Sequence, residues 1–144
     1  MPRLMETIEA KASELLPRDK AVLAAVSGGL DSMALLHALC QLSGKYNWLL
    51  MVAHFNHRLR GRASQADQQL VEKTAKQLGI QCINGSWGND KKLIKDHGPE
   101  MAARLARHNF LAETARAHDC RIIVMAHHLN DQAETFLWRM LRGA

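Results

Sequence analysis

The chain has 144 residues, of which 47% are hydrophobic and 23% charged, so it holds enough apolar mass for a core and is not disordered in composition. Its three cysteines lie far apart, which argues against a disulfide framework or a thiolate metal site. Residues 1–16 carry acidic groups and no long apolar run, which predicts neither a secretory signal nor a membrane span and favours a cytoplasmic protein. The net charge of +5 favours phosphate-bearing partners, although many basic proteins bind no nucleic acid.

The sequence begins with a predicted helix, strand and helix. Leu4–Leu16 has apolar residues at helical spacing and predicts a first helix, which Pro17 ends. The apolar run Ala21–Val26 predicts a first strand buried on both faces. Asp31–Leu42 predicts a second helix that ends near residues 43–44.

A second strand, a third helix and a third strand follow. Trp48–His54 is apolar and predicts the second strand. Ser64–Leu78 predicts the third helix, with Ser64 as its N-cap and Gly79 as its end. The third strand is predicted at Ile80–Asn84.

The last third of the sequence predicts one long helix and a fourth strand. Gly85–Gly98 mixes glycine and charge and predicts a mobile connection with at most a short helix. Pro99 begins a long helix that ends near His118, and Arg121–Ala126 predicts the fourth strand. His127–Arg142 predicts a loop and an amphipathic helix, with no further strand.

Alternating strands and helices predict the α/β class, with a parallel sheet and helices on both faces. No repeat or second domain is indicated, so residues 1–144 are expected to form one domain. Because the chain stops just after its last predicted helix, we expect this domain to be the N-terminal part of a longer protein.

The most specific motif lies between the first strand and the second helix. It consists of Ser27, Gly28, Gly29, Leu30, Asp31 and Ser32. Two glycines let backbone N–H groups approach a phosphate, the following helix adds its positive end, and the two serines add hydroxyl donors. A simpler interpretation is a tight turn in which Asp31 or Ser32 caps the helix, but the strand–turn–helix context favours a phosphate-binding turn.

The charge of this motif predicts a divalent cation. The lysine of the kinase and GTPase P-loop is absent, and Asp31 stands where that lysine would be expected. A carboxylate repels a polyphosphate unless a cation lies between them. The turn therefore predicts a site for Mg²⁺ together with nucleotide phosphates.

Two further carboxylates follow the fourth strand. Asp131 and Glu134 are three residues apart at a predicted helix start, so they share one face. Ligands of open α/β sheets bind at the carboxyl ends of strands, so both are expected beside the glycine turn if the first and fourth strands are neighbours. A simpler interpretation is that they stabilise the helix start.

Basic residues supply more candidates. Arg104 and Arg107 share a face of the long helix, and arginine suits phosphate, although a solvated basic face has the same pattern. His57–Arg62 is a basic loop suited to a nucleic-acid backbone, or simply a solvated loop. Four histidines lie near two strand ends without a recognisable zinc spacing: His54, His57, His127 and His128.

The motif SGGLDS matches the signature of the pyrophosphatase-loop (PP-loop) ATPases, which cleave ATP between the α- and β-phosphates. Together with AHFNHRLRG, EMAARLARHNFL and AHHLNDQAETFLWRMLRGA, it resembles the tRNA(Ile)-lysidine synthetase family. The resemblance implies that ATP adenylates the C2 oxygen of the wobble cytidine of tRNA(Ile). Free lysine then displaces AMP, and lysidine forms.

The resemblance also implies roles for individual residues. Ser27 to Ser32 would hold the ATP phosphates, and Asp31 and Asp131 would place Mg²⁺. Asp131 and Glu134 would be further catalytic carboxylates, and Arg107 would support the activated nucleotide. Members of the family continue beyond the point where this chain stops, with further helices and often with domains that grip tRNA.

Two positions depart from the family pattern. Asn130 stands where many relatives have aspartate, and His108 stands where tyrosine is usual. The amide at Asn130 keeps the hydrogen-bonding shape and loses a charge, which would weaken a metal contact.

The alternative functions are another PP-loop enzyme, of the tRNA thiolase or amidotransferase type, and an inactive fragment that only binds nucleotide. Thiolases of this type usually have paired cysteines, which are absent here.

Overall fold

The computed structural model describes residues 6, 9–10, 12–14, 16–57, 62–87 and 91–126, together with the backbone of residues 136–140. Residues 6, 9–10 and 12–14 are helical, as predicted for the first helix. The elements that follow are β1 (Ala21–Ala25), α1 (Leu30–Tyr46), β2 (Leu49–Asn56), α2 (Arg62–Leu78), β3 (Gln81–Ser86), α3 (Lys91–His97), α4 (Pro99–Ala117), β4 (Ile122–Ala126) and β5 (Phe136–Met140).

The strands form one sheet in the order β3-β2-β1-β4-β5. The first four are parallel, and β5 runs antiparallel to β4. The chain moves outward from β1 to β2 and β3 and then crosses to β4, on the other side of β1. Such a reversal is where α/β sheets bind ligands, so the carboxyl ends of β1 and β4 mark the expected site.

Helices cover both faces of the sheet, which confirms the predicted class. On one face, leucines of α1 and Val71 of α2 pack against Val22, Val52 and Val124. On the other face, Leu111 of α4 packs among residues that alternate with these valines along the strands. In the described part of the chain no helix is long and apolar enough to cross a membrane.

Two helix boundaries differ from the prediction. Helix α1 passes residues 43–44 and ends at Tyr46, because Asn47 takes a left-handed conformation (φ 55°) and its N–H bonds the Ser43 carbonyl. A single glycine costs a helix only about 1 kcal/mol, so Gly44 does not stop it. Helix α2 begins at Arg62, which places Ser64 in its first turn rather than at the N-cap.

The helix predicted within His127–Arg142 is wrong for residues 136–140, which form β5. A strand here pairs with the edge of β4, whose backbone groups would otherwise lack partners. Phe136 and Trp138 also favour strands. The remaining residues of that prediction lie outside the described part of the chain.

Substitution of Gly85 by alanine is expected to destabilise the fold. A Cβ at Gly85 would lie 2.5 Å from the ring of Phe110, which packs against Phe55 with 5.7 Å between ring centroids. Relieving this overlap moves α4 relative to the sheet, so we expect urea unfolding to show a loss of about 1–3 kcal/mol.

The matched control is Gly44→Ala. Gly44 lies inside α1, and no described atom is within 4 Å of its added Cβ. Because alanine favours helix over glycine, this variant should gain about 0.5–1 kcal/mol. An equal loss of stability in both variants would contradict the Phe110 argument.

Candidate functional site

A cavity of about 210 Å³ opens at the carboxyl edge of the sheet. Its wall includes the ends of β1 and β2, the turn between β1 and α1, the first turns of α2, and one side of α4. The sequence motif and the topological reversal of the sheet therefore meet at the same place. The lining residues used below are Val26, Ser27, Gly29, Ser32, Ala53, His54, Asp67, Arg107, Leu111 and Met125.

The two glycines of the turn have different roles. Gly28 has φ +92°, and a Cβ there would lie 2.7 Å from the Cβ and 3.0 Å from the Cα of Asp67. Gly29 has φ −72°, and the described atom nearest to an added Cβ is Ser27 Oγ, at 3.4 Å. The positive φ that favours glycine therefore occurs at Gly28 and not at Gly29. The protein itself requires Gly28, whereas the room beside Gly29 remains open to a ligand.

The serines hold the turn in shape. The N–H of Gly29 donates to Ser27 Oγ (3.2 Å), and the hydroxyl of Ser32 donates to the carbonyl of Gly29 (3.1 Å). Ser32 Oγ in turn accepts the N–H of Ser27 (3.1 Å) and lies 3.0 Å from Ser27 Oγ. A closed set of hydrogen bonds therefore fixes the turn before any ligand binds. The exposed Ser27 is the serine better placed to meet one.

Helix α1 begins directly behind this turn. Gly29 occupies the N-cap position and no side-chain hydrogen bond caps the helix there, so the interpretation of Asp31 or Ser32 as the N-cap is wrong. An uncapped first turn leaves backbone N–H groups for solvent or an anion. Leu30 is 87% exposed at this point, so the start of the helix is open to an approaching ligand.

The carboxylate in the cavity wall is not the one predicted from the motif. Asp31 is half-buried in the first turn of α1 and does not line the cavity, whereas Asp67 of α2 does. Asp67 was not predicted as a site residue, because its closeness to Gly28 depends on how α2 crosses the turn. No local pattern marks such a contact.

The donor set around the turn fits Mg²⁺. This ion commonly takes one or two protein carboxylates and completes its shell with water and substrate phosphates. Asp67 lies against the glycine turn and Asp31 lies in the first turn of α1, so both are candidates for such a ligand. Among the described residues no three metal-ligating side chains form a cluster.

The two arginines predicted on one face of α4 are separated by the structure. Arg107 lines the cavity, and Arg104 is exposed and does not. Residues three apart on a helix differ by about 60° in direction, which is enough to place one inside a site and the other in solvent. A guanidinium in the wall gives the cavity a positive charge that suits a phosphate.

His54 lies on β2 in the cavity wall and is 2% exposed. Its Nδ1 is 2.8 Å from the carbonyl oxygen of Val26, and since that oxygen only accepts, Nδ1 donates. His57 also lines the cavity.

Five candidate residues lie outside the described part of the chain, namely Asp131 and Glu134 together with Asn130, His127 and His128.

Comparisons with known proteins agree with this geometry. The family described as "PP-loop domain" matches residues 4–144. A tRNA(Ile)-lysidine synthase of Geobacter sulfurreducens is 41% identical over 89% of this chain and 27% of its own length. The synthases of Clostridium acetobutylicum and Chlorobaculum tepidum are 36% and 39% identical over 97% of this chain, and over 30% and 44% of their own lengths. The chain thus spans less than half the length of these relatives.

A solved structure has the same fold. The U34-tRNA thiolase NcsA from Methanococcus maripaludis, with its [4Fe-4S] cluster, superposes with a TM-score of 0.76. The superposition covers 90% of this chain and 46% of the thiolase chain, at 17% identity. At this identity the likeness shows a shared architecture and says nothing about a shared substrate.

Proposed function

Because the chain belongs to the PP-loop domain family, we propose that it is the ATP-binding part of a tRNA(Ile)-lysidine synthase. The observation that carries the proposal is the glycine turn, which opens into the cavity at the carboxyl ends of β1 and β2. Relatives of that name, 36–41% identical over most of this chain, support the choice among PP-loop functions. The protein would act in the cytoplasm on tRNA(Ile), ATP and lysine.

The proposed reaction has two steps. The C2 oxygen of the wobble cytidine attacks the α-phosphorus of ATP, and the bond to the β-phosphate breaks to release pyrophosphate. The amino group of lysine then attacks C2, loses a proton, and AMP leaves with the former C2 oxygen. In the first step this chain would position the α-phosphate and offset its growing negative charge.

The residues of the cavity suit that task. The start of α1 supplies N–H donors beside the exposed hydroxyl of Ser27, and Arg107 adds a positive charge to the wall of the same cavity. Mg²⁺, when bound through Asp31 or Asp67, would neutralise the phosphates. Because β4 is paired directly with β1, Asp131 and Glu134, which follow β4 in the sequence, are proposed as the further carboxylates, with Asp131 on the metal.

The thiolase alternative is less well supported. Cys120 is buried, Cys40 and Cys82 are half-buried, and the described residues contain no cluster of three metal-ligating groups. Burial raises the pKa of Cys82 and Cys120, which makes these thiols poor nucleophiles at neutral pH. The cysteines therefore behave as parts of the core.

Magnesium should control ATP binding. We expect calorimetry to show binding of ATP with Mg²⁺ and loss of binding when the metal is chelated. Asp67→Asn keeps the shape that packs on Gly28 and removes the charge. If Asp67 holds the metal, this variant should raise the Mg²⁺ concentration needed for half-saturation about tenfold or more.

The same measurement with Asp31→Asn shows which carboxylate acts on the metal. ATP binding that is independent of Mg²⁺ would contradict the metal assignment. Labelled lysine, tRNA(Ile) and ATP then test the reaction itself. ATP binding without lysine transfer would favour the alternative of a fragment that only binds nucleotide.

A further inference from the structure

The imidazole of His54 has one satisfied and one unsatisfied nitrogen. Its Nδ1 donates to the carbonyl oxygen of Val26 at 2.8 Å, and in the neutral ring this leaves Nε2 as an acceptor. Nε2 is buried and makes no hydrogen bond to any residue that the structure describes. Almost all buried polar atoms form a hydrogen bond. We therefore expect Nε2 to accept a hydrogen bond from a donor outside the described residues.

The position of His54 limits what that donor is. His54 lines the same cavity as Gly29 of the glycine turn and as Ala53, Leu111 and Met125, which belong to one apolar cluster and form an apolar wall. Phosphate oxygens accept hydrogen bonds and, when ionised, have no proton to donate. For the neutral ring, the nucleotide can therefore supply the donor only from its nucleoside part, and the apolar wall suits a flat base or a sugar.

We propose that Nε2 of His54 accepts a hydrogen bond from an N–H or O–H group of the nucleoside part of the bound nucleotide. The inference rests on the proposed function, in which the nucleotide is ATP. Three groups of ATP supply this chemistry, namely the 6-amino group of adenine and the 2′- and 3′-hydroxyls of ribose. His54 thus helps to select the nucleoside, while the turn binds the phosphates.

Two substitutions separate this role from the contact with Val26. In His54→Asn, the side-chain amide keeps a donor near the Nδ1 position and has no atom at the Nε2 position. In His54→Gln, the amide oxygen lies near the Nε2 position and the donor to Val26 is lost. We expect ATP affinity to fall about tenfold in His54→Asn and to change less than about threefold in His54→Gln.

Nucleotide analogues identify the donor. Inosine triphosphate lacks the 6-amino group, and 2′-deoxy-ATP and 3′-deoxy-ATP each lack one hydroxyl. The analogue that lacks the donor should bind the unsubstituted chain about tenfold more weakly than ATP does, and it should lose no further affinity in His54→Asn. The other analogues should bind His54→Asn about tenfold more weakly than they bind the unsubstituted chain.

Urea unfolding checks that His54→Asn remains folded. Unchanged ATP affinity in a folded His54→Asn would mean that water satisfies Nε2, and would overturn this inference alone. The same loss for ATP and for all three analogues would also overturn it, because His54 would then act through the shape of the protein or through the triphosphate that all four nucleotides share. Absence of ATP binding by the unsubstituted chain would overturn the proposed function as well.

Discussion

Gly28→Ala should lower the stability of the protein, whereas Gly29→Ala should leave the fold intact and weaken ATP binding. At Gly28 an alanine would adopt φ +92°, which costs about 1–3 kcal/mol, and its methyl would overlap Asp67, which costs about as much again. Thermal or urea unfolding should therefore show a loss of about 2–6 kcal/mol, a large part of the stability of a small domain.

Gly29→Ala differs because Gly29 already has a conformation that alanine adopts readily, with φ −72° and ψ 164°. The stability should fall by less than about 1 kcal/mol, which reflects the poorer N-cap. The new methyl would enter the space beside the turn, so ATP affinity measured by calorimetry should fall at least about tenfold. Unchanged ATP affinity in a folded Gly29→Ala would argue against phosphate binding at this turn.

The fold followed from the sequence because buried parallel strands have a strong signature. The apolar runs around Val22, Val52 and Val124 have few polar residues, and turn residues separate them from segments of helical period. The sequence left open whether the first and fourth strands are neighbours, and the structure pairs β1 with β4. β5 was missed because residues 136–140 are mostly apolar, and a short apolar run has no period that distinguishes strand from helix.

The candidate site followed from the sequence only where its residues are local. Ser27, Gly29 and Ser32 line the cavity in a turn held by hydrogen bonds between neighbours in the chain, so the motif was sufficient to predict where the turn lies. Phosphate binding by residues 27–32 stays a prediction. Asp67 is 39 residues beyond Gly28 in the sequence, and its contact with Gly28 depends on helix packing. The unsatisfied Nε2 of His54 is equally invisible in sequence, because it depends on which nitrogen bonds Val26.

Arg107→Ala should weaken ATP binding strongly, and Arg104→Ala should not. Each substitution removes one positive charge from α4, but of the two arginines only Arg107 lines the cavity. Hydrogen bonds to a charged group contribute about 1.5–3 kcal/mol, so the loss of Arg107 should lower ATP affinity about 10- to 100-fold. Calorimetry at one fixed Mg²⁺ concentration measures both variants.

The comparison separates a local contact from the general positive charge of the protein. If the net charge of +5 attracts ATP from a distance, both substitutions lower the affinity by a similar, small factor, and added salt removes the difference from the unsubstituted chain. If Arg107 contacts the nucleotide, its loss persists at high salt, because a partly buried pair is screened less. Equal effects of Arg104→Ala and Arg107→Ala would therefore contradict a contact between Arg107 and the nucleotide. The glycine turn would then bind the phosphates without Arg107.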